Sequence, residues 1–162
     1  MIYPILIEGE DDRLRQVAQP VKSLTTKHQD IFKNMKETMK KYDGVGLAAT
    51  QVGIMERYII VSLKGEHLSS PLIMINPEIV SFHSRTKGAE EGCLSMPDFF
   101  ADVERPIAIT VKYKDQEWHD CELKLEHFNA RVVQHEVDHL NGILFIDRIG
   151  IPSGEWKKQR RK

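Results

Sequence analysis

Cysteine is scarce in this chain: two among 162 residues, Cys93 and Cys121. That is too few for a disulfide scaffold and points to a reducing compartment. Long apolar runs are missing too. None approaches the length that crosses a bilayer, so no membrane association is expected. The opening "MIYPILIEGEDDRLRQ" lacks the basic start, apolar stretch and small-residue cleavage site of a secretory signal. A charge excess is also absent. Lys and Arg number 23 against 24 Asp and Glu, a formal net charge of −1, which removes any overall bias toward nucleic acid or anionic membrane. No repeat or low-complexity segment breaks the chain. Its length suits one compact domain over residues 1–162, with a short basic tail from about 155 to 162.

What is present reads as an α+β protein. "LTTKHQDIFKNMKETMKKYDG" sets Leu24, Ile31, Met35, Met39 and Tyr42 at helical spacing with lysines opposite, and Gly44 ends the pattern. "RYIIVSL", "PLIMINPEIVSF" and "IAITVKY" are short β-branched runs and read as strands. "EWHDCELKLE" alternates like a further strand, with Cys121 as a core residue. Lone His28, His67, His83 and His119 read as surface or strand residues.

The chemistry concentrates in "HEVDHLNG", residues 135 to 142. From Phe128 to Leu140 there is no Gly or Pro, so a helix is expected, with Asn129 capping its first turn. Phe128, Val132, His135 and His139 share one face, and Ala130, Val133, Val137 and Leu140 share another. A helix apolar on two faces is buried on both, which points the two histidines into protein. Paired imidazoles one turn apart suit a metal, and Glu136 beside them suits a general base in a metal-assisted hydrolase. The bland alternative is a buried histidine pair with other hydrogen-bond partners, because H-E-x-x-H arises by chance in some chains.

The third ligand decides the kind of hydrolase. In H-E-x-x-H-x-x-G-x-x-H the last position falls on Phe145, which cannot ligate. Glu155, the downstream glutamate, lies in a basic, exposed tail. A di-iron bundle needs a second Glu-x-x-His, and the chain has one. An upstream donor remains, and "EEGCLSMPDFF" supplies Cys93, set between Gly92 and Leu94, with its sulfur expected at the end of the strand before it.

Three segments in register carry a resemblance: "GVGLAATQVG" (44–53), "EGCLS" (91–95) and "QHEVDHLNG" (134–142). Together with "DRLRQVAQPV" and "GILFIDR" they resemble peptide deformylases, over about residues 9 to 148. The resemblance implies antiparallel strands surrounding a central metal-binding helix, and removal of the N-formyl group from new polypeptides that begin with formylmethionine. It implies Cys93, His135 and His139 as ligands of one divalent metal, Fe2+ in the cell, with Zn2+, Ni2+ or Co2+ able to occupy the same donors. Glu136 would move the proton of the attacking water to the leaving amine. The Gln51 side-chain amide and the Leu94 backbone N–H would hold the oxyanion. Gly46 would pair with the bound peptide as an added strand does. Phe128 and Val132, with Val45 opposite, would bound the methionine pocket, although core packing is their other reading. Arg131 borders it, its stem covering the pocket and its head in solvent. Glu91, Arg105 and Asp138 read either as a charged network that orients the ligands or as a surface ion pair. The implied partners are formylated nascent chains. The expected state is a monomer in a bacterial cytoplasm, or an organelle where a leader has been removed.

Two positions depart from the pattern. Phe100 stands where many bacterial members carry an arginine that helps hold the peptide, and His127 stands where a glycine usually precedes the metal helix. Five of the last six residues are Lys or Arg. They read either as a frayed, solvated terminus or as a contact to ribosomal RNA. Two other classes share the motif: a peptidase for internal bonds, which the missing third-ligand patterns disfavour, and a metal-binding protein without activity, which Glu136 and Gln51 disfavour.

Overall fold

The periodic segment after Leu24 forms helix α1, Thr26–Lys41. Phe32, Met35 and Met39 are buried along one side, and Lys33, Lys40 and Lys41 face solvent. His28 closes the first turn, its Nδ1 accepting the Thr25 backbone N–H at 3.0 Å. It is buried, with Nε2 3.3 Å from Glu56, so it is neither a surface nor a strand residue. Past the helix, the left-handed residue is Asp43 (φ +56°) rather than Gly44, and Tyr42 is exposed rather than part of the apolar stripe.

A computed structural model of the chain describes residues 1–65 and 71–161, so the expectation for His67 lies outside the described residues. Five strands form one antiparallel sheet in the order β1 (Gly46–Ala48), β2 (Tyr58–Val61), β3 (Leu72–Phe82), β6 (Ala108–Lys114) and β7 (Asp120–Glu126). Between β3 and β6 the chain makes a separate hairpin, β4 (Thr86–Cys93) with β5 (Met96–Pro106). The three apolar runs and the alternating segment all became strands. β4 matches the strand expected to end at Cys93, whereas β1 and β5 were not expected as strands. β1 has three residues, and "TKGAEEGC" in β4 has no apolar alternation.

Strand β2 shows how the sheet divides the interior. Its side chains alternate between faces. Ile59 and Val61 join Met74, Val111 and Leu125 on one side, and Tyr58 and Ile60 join Ile73 and α1 on the other. The first side is closed by helix α2, His127–Leu140, through Ala130, Val133, Val137 and Leu140. Every residue of α2 from Val132 to Leu140 is buried, as two apolar faces require.

The start of α2 corrects one expectation. Glu126 is the capping position, and the helix begins at His127. Asn129 instead clips a loop to the helix: its Oδ1 accepts the Lys64 N–H at 2.8 Å, and its Nδ2 donates to the Lys64 carbonyl at 2.7 Å. His127 has φ +53°, the left-handed region that glycine adopts without strain. Cys121, expected in the core, is only half-buried.

A third cluster joins β5 to the C-terminal end. Met96, Phe99 and Val103 pack with Leu144, helix α3 (Phe145–Arg148) and Trp156. The segment Glu155–Gln159 is a 3-10 turn, and Trp156 is fully buried within it. Among the described residues the tail is seated at Trp156, while Lys158, Arg160 and Arg161 remain exposed. An apolar ring anchors it, and the buried Glu8 carboxylate accepts the indole N–H at 2.9 Å.

Candidate metal centre

Helix α2 and the β4–β5 hairpin build the centre together. One helical turn sets the His135 and His139 rings side by side, with centroids 5.2 Å apart. Cys93 ends β4, and the pairing register shifts between Gly92 and Cys93. Such an irregularity re-aims a side chain, and Cys93 Sγ comes to 3.3 Å from His139 Nε2. One sulfur and two ring nitrogens thus lie within 4.8 Å of one another.

A buried ionic network holds these groups. His135 Nδ1 is 2.9 Å from Glu91 Oε1. Arg105 donates to both Glu91 oxygens, at 2.6 and 3.0 Å, and to Asp138 at 3.0 Å. Arg148 completes Asp138 at 2.7 Å. Burial alone would raise the Glu91 pKa. The His135 and Arg105 hydrogen bonds outweigh it and hold the carboxyl at about 2. Its contact with Nδ1 fixes the ring orientation of His135. Burial is the largest cause pushing the His139 pKa down, which favours the neutral imidazole that a metal requires.

Glu136 and Gln51 flank the cluster. Burial pushes the Glu136 carboxyl up to about 7, against the opposing effect of His135. Its Oε1 is buried and has no hydrogen-bond partner. A Cβ built on Gly46 would stand 2.5 Å from Glu136 Oε2, so β1 passes over the carboxylate at a distance only glycine permits. Gln51 accepts the Ala48 N–H through Oε1 at 3.0 Å. Its Nε2 points to Ser95 Oγ at 3.1 Å and Cys93 Sγ at 3.5 Å. Leu94 follows Cys93 in the hairpin turn. Ser95 and Thr50, whose hydroxyl donates to the His139 carbonyl at 3.3 Å, escaped the sequence reading. Both stand inside the quoted segments, but nothing in their residue type announced a role.

Two cavities open onto these groups. One, of about 330 Å³, is bounded by Val45, Phe128, Arg131 and Val132 and reaches Glu136. The other, of about 680 Å³, runs past Gly46, Gln51, Cys93 and Leu94. Arg131 differs from expectation. Its head is not in solvent but donates to Glu91, the Val103 carbonyl and the Lys87 carbonyl, each at 2.7 Å. The network of Glu91, Arg105 and Asp138 is accordingly a buried structure reaching the His135 ring, not a surface ion pair.

The donor set fits a divalent transition metal. A thiolate and two imidazoles suit several such ions, three protein ligands leave a coordination position open for chemistry, and Glu136 Oε1 offers an unspent acceptor beside them. A polypeptide deformylase family model matches residues 2–153. The chain belongs to the polypeptide deformylase family. The chain is 44% identical over 152 residues to the peptide deformylase of Chlorobium phaeobacteroides, covering 92% of this chain and 81% of that one. The crystal structure of the Thermotoga maritima peptide deformylase is 44% identical with a TM-score of 0.86, covering 91% and 97% of the two chains. A Met-Ala-Ser-bound peptide deformylase from Acinetobacter baumannii is 39% identical with a TM-score of 0.86, over 91% and 98%. The activity is that of the family: metal-dependent hydrolysis that removes N-formyl groups from nascent polypeptides. Among the described residues, no helix is long and apolar enough to cross a membrane.

Proposed function

We propose that Cys93, His135 and His139 hold the one divalent cation of this deformylase, and that Glu136 is its general acid–base. The observation that carries this is the convergence of the three donor atoms beside a buried carboxylate whose Oε1 has no partner. When bound, the cation lowers the pKa of a water toward about 7 and polarises the formyl carbonyl. Glu136 takes the water's proton as oxygen adds to the formyl carbon. The Gln51 amide and the Leu94 backbone N–H hold the oxyanion that forms. The C–N bond then breaks, Glu136 delivers its proton to the departing amine, and formate leaves. Val45, Phe128 and Val132 receive the methionine side chain in the smaller cavity, with Arg131 at its border. Gly46, on the edge strand β1, pairs with the substrate main chain. Glu91, Arg105 and Asp138 hold the ligands in place.

Ferrous iron is the proposed cation in the cell, with Zn2+, Ni2+ or Co2+ compatible with the same donors. The proposed setting is a monomer in a bacterial cytoplasm, where reducing conditions protect the thiolate. The decisive experiment is anaerobic: formate release from a formyl-Met peptide, with metal content measured on the same sample. Turnover that follows Fe2+ content supports the reading. Metal-free protein with full turnover, or loaded protein with none, would sink it.

Ribosome contact through the tail is also proposed. Lys157 and Lys158 already pair with Glu10 and Glu155. These pairs are exposed and weak enough to exchange for phosphates. Lys157→Gln with Lys158→Gln should weaken ribosome binding at low salt and flatten its salt dependence. Equal binding across a salt series would discard the contact and leave the deformylase untouched.

A further inference from the structure

The last described residue of the tail lies at the edge of the substrate cleft. The backbone N–H of Arg161 donates to the Asp98 carbonyl at 2.7 Å. Its guanidinium stands 4.4 Å from the ring centroid of Phe100 and donates to Glu90 at 2.8 Å. These three neighbours are cleft residues. Glu90 belongs to the smaller cavity, and Asp98 and Phe100 belong to the larger. Gly92, Val45, His135 and Glu136 border both, so the cavities meet beside Gly92. The Phe100 ring lies over that junction: a Cβ on Gly92 would stand 2.6 Å from it.

Arg161 is also held from behind. The fully buried Trp156 is tied to Glu8. The tail therefore delivers its arginine to a fixed place. A guanidinium has five N–H donors, and one is committed here, to Glu90. Stacking on an aromatic face leaves the in-plane donors available. The Arg161 side chain is 61% exposed, and Phe100 remains 42% exposed beneath it.

We infer that Arg161 is a substrate-binding residue, a cation placed at the cleft rim to bind main-chain carbonyls and acidic side chains of the polypeptide beyond its methionine. The inference rests on the deformylase reading. With the methionine side chain in the smaller cavity and the formyl carbon at Cys93 and Glu136, the chain leaves through the larger cavity past Phe100. Glu90 and Asp98 make that rim acidic, and Arg161 offsets them.

The test compares formyl-Met-Ala, formyl-Met-Ala-Ser-Glu and formyl-Met-Ala-Ser-Lys, with KM and kcat measured separately. Arg161→Ala should raise KM for the Glu tetrapeptide about two- to fivefold more than for the dipeptide, the scale of one exposed ion pair. The effect should shrink at high salt. Arg161→Glu should invert the preference between the Glu and Lys tetrapeptides, which a merely structural strap would not do. Identical shifts for all three peptides, or no inversion, would overturn the inference while leaving the deformylase reading intact. A metal-loaded wild type that releases no formate from any of them would remove both.

Discussion

Glu136 carries a buried oxygen without a partner, and that is the kind of group that moves protons. Glu136→Ala should leave the metal in place and cost about 10²- to 10⁴-fold in turnover, the usual range for a general acid–base. Formate release and metal content on one sample check this. Near-normal turnover in a loaded variant would take Glu136 out of the mechanism. The two cysteines offer a matched pair. Cys93 lies against His139, whereas the half-buried Cys121 donates to Asp115 at 3.8 Å, and burial with the Asp115 charge pushes its thiol up. Cys93→Ser should lose metal or most activity, and Cys121→Ser should keep both. Like behaviour of the two would mean the third ligand is wrong. The candidate ligands His135 and His139 were legible at this scale because ligation demands particular residue types at particular spacings, while Cys93 stood out only once the other third-ligand patterns failed. Ser95 was not legible, since a serine serves in so many places, and only the Gln51 amide at 3.1 Å singles it out.

Helix α2 and the strands that bury themselves announce their elements by period. The β4–β5 hairpin does not. Its first strand is polar and held by pairing with β5, so its contribution appears only in three dimensions. Arg105 on β5 and Glu91 on β4 are the joint between that hairpin and α2, through Asp138 and His135. Their residue types suggested a network, but whether it was buried depended on packing that no local pattern encodes. Arg105 is 3% exposed, so Arg105→Leu would leave two buried carboxylates short of their main cation. Losing one partner of a buried pair typically costs about 3–5 kcal/mol. Denaturant unfolding of the metal-free variant should show a loss in this range, and retention of wild-type stability would mean Arg131 and Arg148 suffice alone.

Across the whole molecule, the two ends of the chain meet at Glu8, next to the site. Its backbone N–H donates to the Ser95 carbonyl at 3.0 Å, and its carboxylate accepts from Ser153, Gly154, Trp156 and Arg15. No sequence pattern could foretell a bond between Glu8 and Trp156, 148 positions apart. Burial of Glu8 tends to raise its pKa, but the Ser153, Gly154, Arg15 and Trp156 hydrogen bonds outweigh it and hold the carboxyl below the ordinary range. A depressed carboxylate stabilises the fold above its unfolded pKa, near 4, and that contribution is lost as pH falls from there through the folded value. Glu8→Gln should therefore lower stability at neutral pH by about 1–3 kcal/mol, the value of hydrogen bonds to a charge. The gap between variant and wild type should close as pH falls below about 4. Trp156 fluorescence in a Trp118→Phe background reads the same event locally, shifting red as the tail leaves its seat. If the gap stayed constant from neutral to acid pH, Glu8 would not be the lock on the tail. Its ionisation would then not govern where that segment, and Arg161 with it, lies against the cleft.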